Sequence, residues 1–518
     1  MSILTLDPLN EQSVSRSKQW LVCALPVWFV CSIFSPLASQ TLERFEHSVY
    51  ETTLENGLHL IVVERPDAPV ASFVTYVDVG SVNEPANRTG LAHLFEHMVF
   101  KGTEQIGTRN WDAESVWIER MDRAYRSWLR ESRQPKPDSI RMDQEWRRFQ
   151  TAQEQASLFV INNEFSRIVE QEGGTGMNAF TSADATGYYY SLPQNRAELW
   201  FLLESSRFRN PVFREFYSEK EVVLEERRMR TDSQPVGRLV EEFLSVAYSA
   251  HPYRNPVIGW ESDIRATTIA DAREFYNTWY RPDRMTVVIA GDVKAERMVE
   301  LANRYFSSLP GGESPAEIVT EEPEQRGERR FVMVEDGQPF FLAGYHTVSR
   351  THEDWHALRL LGSIISEGRM SRLYRRLVQQ DRIALNVAAF NGFPGTQYPS
   401  MFLTLAIPNR GVSLDRIEEV IGEEIERVKE GDVRQEELDR AIANARANRL
   451  REMESNSDLA MALAETHAAS GDWRTLFTDL EKTAAVTLQD IQRVAQTYLV
   501  REQRTVGRIE SRKTEDES

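Results

Sequence analysis

Cysteine is almost absent from this chain: there are two in 518 residues, Cys23 and Cys31, and both fall within the first 39 positions. If that segment is removed, the remaining chain has no cysteine and no disulfide framework. A basic excess is missing too. Lys and Arg number 61 against 79 Asp and Glu, and the net charge of -18 argues against nucleic acid or an anionic membrane as partner. No hydrophobic run reaches the roughly 20 residues that span a bilayer. The run Trp20–Phe34 is shorter and is interrupted by Pro26. Arg16 and Lys18 precede it and SPLAS follows, so residues 1–39 read as a signal peptide cleaved near Ser39, which implies export to the periplasm. An uncleaved segment tethering the chain to the inner membrane is the alternative; a lipid anchor is not, because neither cysteine sits in a lipobox. The length exceeds what one core can hold and suits roughly two to four domains.

What the chain does have is concentrated in residues 90–103, GLAHLFEHMVFKGT. His93, Glu96 and His97 stand at i, i+3 and i+4 and so share one face of a helix. Two neutral imidazoles supply two zinc ligands, and the carboxylate between them is placed to take a proton from a water that zinc has acidified. H-x-x-E-H is the inverzincin signature. Two ordinary structural histidines would be the plainer explanation, but the spacing is too specific for that in a chain with nine histidines.

Around the box the pattern is α+β. VYETTLENG, LHLIVVER and ASFVTYVDVGS predict three strands, with Asn56-Gly57 turning the first pair into a hairpin. Residues 110–160 predict two amphipathic helices joined at QPKPD. A solvated helical hairpin is the expectation there. A lid or docking arm is the alternative, because Trp111, Trp117, Trp128 and Trp146 offer more aromatic surface than a solvated hairpin needs. Further on, EFYSEKEVVLEERRMR carries Glu219 and Glu226 two turns apart on one face, and one of them should complete the metal site. The polar, Gly-, Pro- and Glu-rich segment 309–328 reads as a linker between an N-terminal lobe, 45–308, and a C-terminal lobe, 329–512, followed by a polar tail, 513–518. FVMVEDGQPFFLAGYHTV echoes LIVVERPDAPVASFVTYVDV, and YLVREQRTVGRIES echoes YRPDRMTVVIAGDV, which is the mark of a duplication. The second half has His356 but no box, so zinc is expected in the first lobe alone.

With the box, the duplication and the distal glutamates in view, the chain resembles the pitrilysin/insulinase family of zinc metallopeptidases, in its short bacterial and mitochondrial-processing-peptidase-like branch. The likeness runs from about 45 to 512 and rests on GLAHLFEHMVFKGT, MNAFTS, EKEVVLEERRMR, HPYRNPVIG and YRPDRMTVVIAGDV. It implies one Zn2+ per chain, held by His93, His97 and Glu226, with Glu96 as general base and Glu219 as a supporting acid. Helical register favours Glu226 over Glu225, because only Glu226 is in phase with Glu219. The resemblance also implies that the edge strand MNAFTS pairs with an extended peptide, with Asn178, Ala179 and Phe180 nearest the substrate. The implied fold is α+β: two homologous lobes, each of two similar sub-units, closing as a clamshell around a chamber.

Two departures stand out. The separation of the box from Glu226 exceeds the family's by about the length of the 110–160 hairpin, which reads as an insertion. The Arg and Tyr that family members carry in the second lobe to hold the substrate carbonyl align here with Val378 and Leu385, which cannot donate a hydrogen bond. Arg375, Arg376 or Arg382 could substitute for the Arg, but no Tyr follows at the right distance. Losing one oxyanion donor typically costs about 10²–10³ in rate. The resemblance therefore implies a homo- or heterodimer acting on peptides, with a sister subunit carrying the Arg/Tyr pair as the favoured partner of this zinc-bearing chain. A non-catalytic assembly or scaffold subunit of the same fold is the competing reading.

Overall fold

A computed structural model describes residues 45–312 and 315–512. The segment 1–39, expected to be a signal peptide, and the tail 513–518 lie outside the described residues. No described helix is long and apolar enough to cross a membrane.

The first half builds a six-stranded sheet from β1 (Val49–Thr53), β2 (His59–Glu64), β3 (Val70–Val77), β4 (Thr175–Thr181), β5 (Thr186–Pro193) and β6 (Met285–Gly291), in the order β1-β2-β6-β3-β5-β4. The second half builds a five-stranded sheet from β7 (Arg329–Glu335), β8 (Phe340–His346), β9 (Ala384–Phe393), β10 (Met401–Pro408) and β11 (Arg504–Ser511), in the order β7-β11-β8-β10-β9. The duplication is thus visible strand for strand. β2 runs parallel to β6 as β7 does to β11, and the other pairs are antiparallel. The fold is α+β with two homologous lobes. The sub-units expected within each lobe share a single sheet, because the last strand of each half lies inside that half's sheet: β6 between β2 and β3, and β11 between β7 and β8.

Both sheets are covered on both faces, which is why β6, MTVVIAG, is buried at every position. One face of each sheet is covered by its own half. On the first, Leu60, Val62 and Phe73 pack with Leu94 and Phe95 of the box helix, Leu91–Met98. The other faces are exchanged. Helix Pro235–Ala247, from the first half, lays Leu239 and Phe243 on Leu342, Leu403 and Ile509 of the second sheet. Helix Asn456–Ser470, from the second half, lays Leu459 and Leu463 on Ile61, Val63, Val74 and Val288 of the first.

The 110–160 segment is a helical hairpin, Trp111–Ser132 and Ser139–Ser157, whose first turns are capped by the side chains of Asn110 and Asp138. It is neither a solvated arm nor a free lid. Ile118, Met121 and Tyr125, at helical spacing, bury one face. Trp128 packs against Trp146 with ring centroids 5.1 Å apart and planes tilted by 49°, and Tyr125 and Phe149 close around Tyr217 of helix Phe216–Arg227. Polar contacts lock the same junction. Glu114 and Arg214 form a fully buried pair at 2.7 Å, and the Tyr217 hydroxyl donates to Asp122 at 2.7 Å. Lys220 donates to Tyr125 and to the carbonyls of Arg265 and Thr267, and burial lowers its pKa to about 7.

Because the exchanged helices make each lobe part of the other's core, Leu463→Ala should lower stability by about 2–5 kcal/mol. It should also leave a single denaturant transition in which both lobes melt together. Two separated transitions by tryptophan fluorescence and far-UV circular dichroism would show that the lobes are independent.

Candidate metal centre

The start of the box helix is pinned before its histidines appear. Gly90 has φ 88°, and a Cβ there would lie 2.7 Å from the carbonyl oxygen of Ile258. Gly259 abuts it from the HPYRNPVIG segment. Buried Glu84 accepts from the backbone N–H groups of Gly90 and Ala92, each at 2.8 Å, satisfying orphan donors of the first turn. Burial pushes this carboxyl up to about 8. Asp263 accepts from the Thr89 N–H and hydroxyl at 3.1 and 2.8 Å.

From the first and second turns, His93 and His97 turn their rings toward the helix Phe216–Arg227. His93 Nε2 lies 3.7 Å and His97 Nε2 3.5 Å from the same oxygen, Oε2 of Glu226. One donor atom from each of the three residues falls within 4.8 Å of the others. Tetrahedral zinc with bonds of about 2.0–2.1 Å sets its ligands about 3.3 Å apart, so the three fit such an ion with little movement. The second oxygen of Glu226 is held by Arg230 at 2.8 Å. Glu219 faces the far nitrogen of His97, Nδ1, at 3.4 Å and binds Lys101 at 2.5 Å, which is the carboxylate–imidazole arrangement that orients a metal-ligating histidine. Glu225 points away, paired with Arg228 on the exposed face.

The electrostatics suit a cation. Burial lowers the His93 pKa well below its ordinary value, with the neighbouring His97 adding to the effect. Burial also works against charged His97, but the hydrogen bonds with Glu219 and Glu226 prevail and raise it to about 9. The hydrogen bond from His97 holds Glu226 below the usual carboxylate range. Burial raises the Glu96 pKa, against a 2.6 Å hydrogen bond from the Thr181 hydroxyl.

That bond ties Glu96 to β4, the outer strand of its sheet, whose side away from β5 pairs with no strand among the described residues. Asn178 is exposed and accepts from the Ala179 N–H at 2.9 Å, while Ala179 and Phe180 are half-buried. Register shifts between Thr175 and Asn178, beside Gly176 at φ 65°, marking an edge bulge. Thr181, Lys101 and Arg230 are contacts that sequence reasoning missed. Thr181 and Lys101 lie inside the quoted motifs, and Lys101 is four residues beyond His97, so helical phase was a usable signal.

The model described as Insulinase (Peptidase family M16) matches residues 60–115 and 157–260, and that described as Peptidase M16 inactive domain matches 266–445. The zinc protease PqqE of Helicobacter pylori is 30% identical over 460 residues, covering 86% of this chain and 89% of that protein. The chain belongs to the insulinase family, peptidase family M16. A crystal structure of a protease from Helicobacter pylori superposes with TM-score 0.75 at 28% identity, over 89% of this chain and 99% of that one. The periplasmic protease PqqL from Escherichia coli shares the fold at TM-score 0.63 and 16% identity, with 89% of this chain covering 47% of that longer chain.

The match to the M16 model breaks between 115 and 157, inside the helical hairpin. In the second lobe His356 is engaged by Asp479 at 3.4 Å and Thr483 at 3.1 Å. Val378 is half-buried against that lobe's core, and Leu385 is exposed on β9. Arg376 is held by Asp381 and Glu423.

These two shifts act on the stability of the metal-free chain on opposite sides of neutrality. The raised His97 contributes stability that is full below about 6.5 and is lost as pH climbs toward about 9, whereas the depressed His93 costs stability as pH falls below about 6.5. As pH climbs from about 6.5 to about 9, the urea midpoint of chelator-treated parent protein should fall relative to that of His97→Asn, whose alkaline limb lacks this contribution. An unchanged alkaline limb in that variant would refute the assignment.

Proposed function

We propose that this chain is a zinc-dependent metalloendopeptidase acting on extended or unstructured peptides. The observation that carries the reading is the convergence of His93 Nε2, His97 Nε2 and Glu226 Oε2, with Glu96 on the same helical face. His93, His97 and Glu226 would hold the ion, one per chain. Bound there, zinc would supply Lewis acidity, acidifying a water and polarising a scissile carbonyl. Glu96 accepts the proton of the attacking water, and its burial and its bond to Thr181 keep it aimed and poised. Glu219 fixes the ring of His97. The free edge of β4, at Asn178, Ala179 and Phe180, takes the peptide as an added strand, which gives affinity through main-chain bonds with little side-chain preference.

The partner in this reading is a sister family subunit carrying the missing Arg/Tyr pair. The apolar Val378 and Leu385 support it, and so does the chain's span of about half of PqqL. The N-terminal segment supports export to the periplasm, the compartment named for PqqL.

Hydrolysis of unstructured peptides should drop by about 10²–10⁴-fold in Glu96→Gln while one zinc per chain is retained. His93→Ala should lose the zinc itself. A Glu96→Gln protein as active as its parent would remove Glu96 as the base. The same assay run alone and with the sister subunit separates an autonomous enzyme from a split site, and silence in both would favour the scaffold reading.

A further inference from the structure

One carboxylate of the first lobe is gripped by the second. Asp184 lies in the tight turn between β4 and β5, and its Oδ2 accepts from the backbone N–H groups of Thr396 and Gln397 at 2.5 and 3.1 Å, in the loop between β9 and β10. Its other oxygen, Oδ1, accepts from the Tyr253 hydroxyl at 2.5 Å, and that hydroxyl accepts in turn from the Tyr398 N–H at 3.2 Å. The fit leaves no slack. A Cβ on Gly395 would lie 2.5 Å from the Tyr253 hydroxyl and 2.6 Å from both carboxylate oxygens of Asp184. Both arms of this clasp lead to Glu96. On one side the Ser182 hydroxyl accepts from the N–H groups of Asp184 and Ala185 at 3.2 and 3.0 Å, which ties the turn to the neighbouring Thr181, whose hydroxyl donates to Glu96. On the other, Tyr253 belongs to HPYRNPVIG, whose Gly259 abuts Gly90 at the start of the box helix. The next residue, Trp260, donates its N–H to the Thr89 hydroxyl at 2.9 Å. A lobe without the box thus touches, through one carboxylate, both elements between which Glu96 is held.

We propose that Asp184 is a positioning residue, through which the second lobe holds β4, and through Thr181 the carboxylate of Glu96, in place against the box helix. The consequence for rate rests on the peptidase reading above; the consequence for β4 does not. An edge strand has a neighbour on one side only, and the bulge beside Gly176 loosens β4 further. Its Thr181 end is the end that must stay still. A shift of about 1 Å there would swing the Glu96 carboxylate off its aim, and misplacement of that size can cost about 100-fold in rate. Asp184 anchors this end to a loop whose two flanking strands, β9 and β10, pair with each other in the second sheet. The anchor calls for a carboxylate, which accepts on both oxygens. An Asn in its place would turn an N–H₂ group either to the Tyr253 hydroxyl or to the two N–H groups, and whichever it faced would lose its acceptor.

The test sets Asp184→Asn and Gly395→Ala, which disturb the clasp from opposite lobes, beside Thr181→Val, which cuts the bond to Glu96. In hydrogen exchange read by mass spectrometry on the full chain, the first two should speed exchange in residues 175–182 by about tenfold, while helices Pro235–Ala247 and Asn456–Ser470 keep parental rates. Both variants should retain one zinc per chain and cleave unstructured peptides with kcat lowered about 10–100-fold and KM changed by less than about twofold. Asp184→Asn combined with Thr181→Val should be no slower than Thr181→Val alone, because the clasp acts on Glu96 through that bond. Parental exchange in 175–182 overturns the proposal whether or not the chain cleaves peptides. Faster exchange spread over both halves overturns it too, since that marks a bond holding the fold together rather than a strand in place. Fully additive losses in the double variant overturn the route through Thr181. A parent silent on peptides, alone and with the sister subunit, sinks the peptidase reading, and the exchange result still decides the clasp.

Discussion

One imidazole joins the two helices on which the rest of the centre depends. His97 presents Nε2 to Glu226 and Nδ1 to Glu219, so a single ring spans two carboxylates that stand two turns apart on helix Phe216–Arg227. That bridge ties the box helix to the glutamate helix at two points. Every other contact in the centre supports it from behind. Lys101 balances Glu219, Arg230 balances the outer oxygen of Glu226, and Glu84 with Asp263 holds the helix start against Gly259. Three carboxylates in so small a volume would repel one another, and the two cations and the charged imidazole are what make the cluster tolerable.

The hairpin gains its meaning from the same constraint. The M16 model skips most of it, yet it is bolted to the glutamate helix through the buried Glu114–Arg214 pair, the Tyr217–Asp122 bond and an aromatic cluster. It therefore stiffens the element that carries Glu219 and Glu226 from the side opposite the histidines. The exchange of helices between lobes works on a larger scale. The face of the first sheet away from the box helix is closed by Leu459 and Leu463 of the second half, so the lobe that lacks the box is still part of the core that positions it.

Much of the centre was legible from local spacing, because i, i+3, i+4 and i, i+7 are geometric statements about one helix. That is how His93, Glu96, His97 and the Glu219/Glu226 pair stand out, and why Glu225 falls on the wrong face. The hairpin's two helices and its turn were legible from Pro135 and Pro137 and from the amphipathic pattern. Its seating was not, because a tryptophan-rich stripe reads the same whether it covers a neighbour or awaits one. The bond from Thr181 to Glu96 was equally hidden, since it joins residues that are close only once β4 lies beside the box helix.

The sequence by itself determined the family, the duplication and the identity of the residues able to bind a metal, because each of these is a pattern within a short stretch or between two copies of one. Tertiary structure alone decided which nitrogen of His97 meets which glutamate, that the hairpin is a buttress, and that the lobes share their cores. These depend on contacts between residues hundreds of positions apart, and the local chain carries no record of which distant surface will meet it.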